Sequence, residues 1–238
     1  MKESYIGVFD SGIGGLTVLD ALKDVLPNEK FIYYADSYNN PYGSKTDKEL
    51  FSITESIVEY FILKKVKLVV IACNTATTRC ICHLREKYPK IIFVGIEPAV
   101  KVACDRNYKN ILVMATPGTI KTNRIKQLVN LNKKDDENVY LLSCLDLAHL
   151  IETDQNEKID ILLKELFEPF LDKNIDAVVL GCTHYPLIKN KVQKFFKNAC
   201  LIDGSLGVAK QTKRLLENAN LLNENGNHEI IYFNSKDK

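Results

Sequence analysis

Four pairs of short apolar segments recur along this chain at nearly one offset, and that recurrence limits the fold more than any single motif. Ile6–Asp10 matches Ile111–Ala115, Phe31–Ala35 matches Val139–Ser143, Leu68–Cys73 matches Ala177–Cys182, and Gly95–Pro98 matches Leu201–Gly204. In each pair the second copy lies 105 to 109 residues downstream. Solenoid repeats run to roughly 20–50 residues, so a period of this size is that of a domain, and two similar lobes are expected. Any α/β strand supplies a few β-branched residues and then a polar one. The shared offset, rather than the likeness of single segments, carries the argument.

The apolar runs are bounded by turn residues, as buried parallel strands are, and alternate with segments of helical spacing. Leu16, Leu19, Leu22 and Leu26 repeat at three and four and stop before Pro27. Further helices are predicted at Leu50–Leu63, Thr75–Lys87, Thr119–Leu131 and Ile159–Leu171, and a final strand at Glu229–Phe233. The alternation predicts an α/β fold of two pseudo-symmetric lobes, each a mostly parallel sheet flanked by helices. Ligands of such sheets bind beyond the carboxyl ends of the strands. Asp10 and Ser11, Asp36, Cys73 with Asn74 and Thr75, Glu97, Thr116, Cys182 with Thr183 and His184, and Asp203 all fall there.

With 238 residues, 46% of them hydrophobic, the chain can fill one large core or two small ones. Its 32 basic residues nearly balance 30 acidic ones and are scattered, which gives no electrostatic footprint for nucleic acid or an anionic membrane. A small-molecule partner is expected. No apolar run approaches the roughly 20 residues of a membrane helix, and no secretory signal precedes Asp10. Seven cysteines, an odd number, then suggest free thiols in a reducing, cytoplasmic setting.

A thiol serves acid–base chemistry when a helix N-terminus or a cation stabilises its thiolate. Cys73 and Cys182 each sit at a predicted strand-to-helix junction, where unpaired backbone N–H groups gather. Two lobes facing each other would bring both sulfurs to one active-site cleft, one on each face of a ligand. Two bases on opposite faces of one carbon are what inversion of a stereocentre requires. Asp10 is placed to assist one thiol and His184 the other, with Ser11, Asn74, Thr75 and Thr183 as neutral groups for a carboxylate and an ammonium.

Blander readings stand beside these. A cysteine ending a buried strand is commonly a small apolar filler, the reading given to Cys80, Cys82, Cys104, Cys144 and Cys200. Asp10 also suits a helix cap. The glycines of Phe9–Gly15 lack dinucleotide-loop spacing, and a tight turn accounts for them. Cys80 and Cys82 point about 200° apart on one helix, and no paired Cys-x-x-Cys knuckle occurs, so no metal site is expected.

Together the motifs resemble the glutamate racemases of the cofactor-independent aspartate/glutamate racemase superfamily. The matching segments are Phe9–Gly15, Ala35–Ser37 with Asn40–Gly43, Ala72–Thr77, Gly95–Pro98, Ala115–Thr119 and Gly181–Leu187, in order along nearly the whole chain. The resemblance implies interconversion of L- and D-glutamate without a cofactor, supplying D-glutamate for peptidoglycan, and a homodimer. It implies Cys73 and Cys182 as the acid/base thiols, assisted by Asp10 and His184. Asp10, Ser11, Tyr42, Gly43, Asn74, Thr75, Thr183 and His184 match substrate-contacting positions. Glu152 corresponds to a buried family glutamate, although Cys144-Leu145-Asp146 departs from the usual Cys-Pro before it, and a helix-surface position also fits. The implied lobes are 1–95 plus 207–238 and 96–206. An aspartate racemase of the same fold, and a binding protein that keeps the fold, are the competing readings. Thr77 and His184 favour glutamate over aspartate within the resemblance.

Overall fold

Leu68-Val-Val-Ile71 is buried along its whole length, as a strand covered on both faces must be. It belongs to a chain whose residues 2–237 are described by a computed structural model. The chain divides into two compact units, one running up to Ile96 and resuming at Ser205, the other Glu97–Gly204.

The first unit begins with β1 (Ile6–Asp10), α1 (Leu16–Val25), β2 (Lys30–Ala35), α2 (Asp47–Leu63), β3 (Leu68–Ile71), α3 (Asn74–Lys87) and β4 (Phe93–Gly95). A short 3-10 turn, Tyr42–Ser44, precedes α2. The second unit contains α4 (Val100–Asp105), β5 (Asn110–Ala115), α5 (Pro117–Ile120), α6 (Asn123–Asn132), β6 (Asn138–Ser143), α7 (Leu147–Glu152), α8 (Asn156–Phe167), β7 (Ala177–Leu180), α9 (Lys189–Phe195) and β8 (Cys200–Ile202). The chain then returns to the first unit with α10 (Ser205–Asn218) and β9 (Glu229–Asn234).

All described strand pairs are parallel. The sheet orders are β4-β3-β1-β2-β9 and β6-β5-β7-β8, so the second repeats the first four strands of the first. Register repeats as well, with Ile6 opposite Phe31 in one sheet and Ile111 opposite Val139 in the other. The fourth pair slips: Val69 faces Phe93 and Val178 faces Leu201, so Leu201 answers to Phe93 and not to Gly95.

Alternating side chains divide each sheet between two cores. Ile6 and Val8 join Val18, Leu22, Val208 and Leu216 under α1 and α10, whereas Phe9 joins Leu50, Ile57, Val69 and Ile71 under α2 and α3. In the second unit Ile111 and Val113 pack with Val100 and Ile125, and Leu112 and Met114 with Ile151, Leu163 and Val192. The helix predicted at Thr119–Leu131 is two helices, because Thr122 takes an extended backbone and returns its hydroxyl to the Thr119 carbonyl. The Ile159–Leu171 helix stops at Phe167 and becomes a 3-10 turn, Glu168–Phe170, where Pro169 removes an N–H donor.

Candidate active site

Chain crossings reverse direction between β1 and β3 in the first sheet and between β5 and β7 in the second, which are the switch points where such sheets open a crevice. Asp10 ends β1, and Cys73 follows β3 as the residue capping α3. Cys182 stands in the same relation to β7.

In the first unit the loop after β1 folds back on its own carboxylate. Asp10 Oδ2 accepts from Gly12 N at 3.2 Å and Gly15 N at 3.0 Å, while Tyr33 Oη donates to the Gly12 carbonyl at 2.8 Å. A Cβ at Gly15 would lie 2.5 Å from Asp10 Cβ, so packing requires that glycine and the turn needs no phosphate. Asp10 thus closes the loop before α1, whose N-cap is Gly15, and remains wholly buried at the strand end.

Cys73 is buried, with its Sγ 3.8 Å from Ser11 Oγ. The backbone of Asn74 and Thr75 opens α3 immediately beyond it, where helix N–H groups lack intrahelical partners. Asn74 Oδ1 is buried without a hydrogen-bond partner, an acceptor directed at no protein group. Tyr42 Oη donates to Asp36 Oδ2 at 2.7 Å, and Asn39 donates to both Asp36 oxygens. Burial, with Asp36 beside it, holds the Tyr42 phenol well above its ordinary pKa, so it stays protonated as a donor. Gly43 follows in the same 3-10 turn.

In the second unit His184 links two other groups. Its Nε2 lies 2.6 Å from Glu152 Oε2 and its Nδ1 3.8 Å from Cys182 Sγ. An ionised carboxylate can only accept, so Nε2 carries the proton, and in the neutral ring Nδ1 is the acceptor turned to the thiol. Glu152, on the last turn of α7, has a side chain only 9% exposed and is not on the helix surface. Gly181 is fixed by the close strand beside it, since a Cβ there would meet the Met114 carbonyl at 2.6 Å. Thr183 is buried between Cys182 and His184.

Cys144, read from sequence as filler, has polar company. Its N–H donates to the Ala115 carbonyl at 2.8 Å, as Asp36 N donates to the Asp10 carbonyl at 2.9 Å in the first unit. The Tyr185 hydroxyl, wholly buried, faces the Cys144 thiol without reaching hydrogen-bond geometry. Burial pushes that thiol up to about 12, keeping it protonated. No signal in the sequence joins Tyr185 to Cys144; only the fold does. Among the described residues, no group of three or more His, Cys, Asp or Glu is arranged to hold a metal ion.

The Asp/Glu/hydantoin racemase family model matches residues 20–212. The chain belongs to that racemase family. A glutamate racemase of Clostridium botulinum (strain Alaska E43 / Type E3) is 43% identical over 246 aligned residues, which cover 100% of this chain and 94% of that one. Among solved structures, a glutamate racemase of Francisella tularensis in complex with D-glutamate has a TM-score of 0.85 at 34% identity, covering 99% of this chain and 89% of that chain. One from Bacillus anthracis has a TM-score of 0.87 at 29% identity, covering 99% and 90%. For this member of the racemase family, two strand-end thiols with different polar partners are the features that bear on chemistry. No helix among the described residues is long and apolar enough to cross a membrane.

Proposed function

We propose that this racemase interconverts L- and D-glutamate by two-base proton transfer, without a cofactor, with Cys73 and Cys182 as the bases. The observation that carries the reading is the matched placement of two buried cysteines after β3 and β7, each beside a polar partner. One thiolate removes the α-proton and the other thiol delivers a proton to the opposite face, which inverts the carbon. The relatives named glutamate racemase, matched along their length, support glutamate as the substrate.

In this reading Glu152 holds the His184 tautomer whose Nδ1 exchanges a proton with Cys182. Asp10 and Ser11 attend Cys73. Asn74 Oδ1, the unpartnered buried acceptor, suits the substrate ammonium, and Thr75, Thr183 and the backbone N–H groups of Tyr42 and Gly43 supply donors for its carboxylates. The product is D-glutamate for peptidoglycan, made in the cytoplasm by a homodimer.

The test is an NMR time course in deuterated buffer with reducing agent, following α-proton loss and optical rotation of L-glutamate, D-glutamate and L-aspartate. Exchange with falling rotation for glutamate alone is expected. Exchange with aspartate alone would assign the other substrate, and no exchange with any of them would overturn a catalytic reading.

A further inference from the structure

Arg79 lies on α3 one turn beyond Thr75. Its side chain is only 12% exposed. The guanidinium reaches back across the chain: Nε donates to Asp47 Oδ1 at 2.7 Å, Nη2 to the Lys45 carbonyl at 2.8 Å, and Nη1 to the Tyr42 carbonyl at 3.5 Å. Asp47 is 67% exposed, so the ion pair itself contributes little. The carbonyl contacts are different, because they bracket the Tyr42–Ser44 turn from its first residue to its cap.

A planar trans peptide whose C=O is held has its N–H held in the opposite sense. With the Tyr42 carbonyl turned to the guanidinium, the Gly43 N–H points away from Arg79. The other end of the Tyr42 residue is fixed by its phenol on Asp36 at 2.7 Å. Arg79 therefore ties this turn to the helix whose first residues are Asn74 and Thr75.

We infer that Arg79 is a positioning residue for substrate binding, its guanidinium latching the Tyr42–Ser44 turn to α3 so that Gly43 N–H keeps a fixed place relative to Asn74 and Thr75. This rests on the proposed contact of Gly43 and Asn74 with substrate. A latch of this kind holds ground state and transition state alike, so its loss appears in KM.

Steady-state kinetics with both enantiomers, alongside melting curves, test it. Arg79→Met is expected to raise KM roughly 10-fold with kcat within about 2-fold. Arg79→Lys, which keeps a donor for one carbonyl, should recover part of that, and Asp47→Asn should leave KM within about 2-fold. A lowered melting temperature with wild-type KM would reduce Arg79 to a structural role and overturn the latch. If Arg79→Met melts below the assay temperature, Arg79→Gln is judged by the same KM-against-kcat split. Cys73→Ala separates the two ideas: full racemisation there sinks the two-thiol reading, whereas an inactive Cys73→Ala beside a wild-type KM in Arg79→Met sinks only the latch.

Discussion

Glu152 accepts a 2.6 Å hydrogen bond from His184 Nε2, although the two lie on different elements more than thirty residues apart in sequence. The carboxylate sets which imidazole nitrogen faces Cys182. Glu152→Gln keeps the shape and can present either end of its amide, so the tautomer is no longer fixed. Its kcat should fall about 10- to 100-fold, with a larger loss in the direction where Cys182 is the base. Deuterium wash-in measured separately from each enantiomer checks this, and equal losses in both directions would contradict it.

Cys73→Ala and Cys182→Ala should each abolish racemisation, by roughly 1000-fold or more, while circular dichroism stays native. Under the two-base proposal, each variant would lack the base for one direction and the acid for the other. Full activity in either would end the two-base mechanism.

Thiol labelling should divide the cysteines by burial. Cys82 is exposed, whereas burial pushes Cys80 and Cys104 up to about 11 and Cys144 up to about 12. At pH 8 a thiol with that pKa is about one part in a thousand thiolate or less. Peptide mass spectrometry after brief iodoacetamide treatment should find Cys82 modified, and Cys80, Cys104 and Cys144 modified only after unfolding.

Lys67 and Glu29 form an ion pair of 2.5 Å with both side chains 1% exposed. Lys67 also donates to the Leu221 carbonyl, and Glu29 accepts from Asn223 N, so the pair anchors the segment that leads to β9. Lys67→Met alone should cost about 3–5 kcal/mol by stranding a buried carboxylate. Adding Glu29→Gln should recover most of it, as urea unfolding of the single and double variants would register.

Lys87 Nζ at 2.7 Å and His83 Nε2 at 2.6 Å both approach Glu55, and these partners hold its carboxyl below the ordinary 4.5. A depressed folded-state pKa means stabilisation that is complete above 4.5 and lost as pH falls through the folded value. Glu55→Gln should melt about 1–2 °C below the parent at pH 7. That gap should close as pH falls from 4.5 through the lowered folded value, in paired melting curves across the range.

The strands, and the matched placement of Cys73 and Cys182 after two of them, were legible because β-branched runs ending in a polar cluster are local signals. Val69–Ile71 and Val178–Leu180 announce themselves within a few residues. The two-residue slip of Leu201 was not legible, since register depends on neighbouring strands rather than on the segment itself. The break at Thr122 escaped because Ile125 and Leu128 continue an apolar stripe across it. Cys144 and Arg79 were not legible for another reason: Tyr185 and the Tyr42–Lys45 turn, which give them meaning, come from distant parts of the chain.

The last elements of the first unit are made after the whole of the second. Val208, Ala209 and Leu216 of α10 share a core with Ile6 and Val8, and β9 covers the β2 edge. A ribosome releasing this chain therefore delivers Glu97–Gly204 complete while the unit begun earlier still has an apolar face and a strand edge uncovered. The second half can fold during synthesis, whereas the half begun first must wait for its final residues, and in that interval a chaperone would find its substrate.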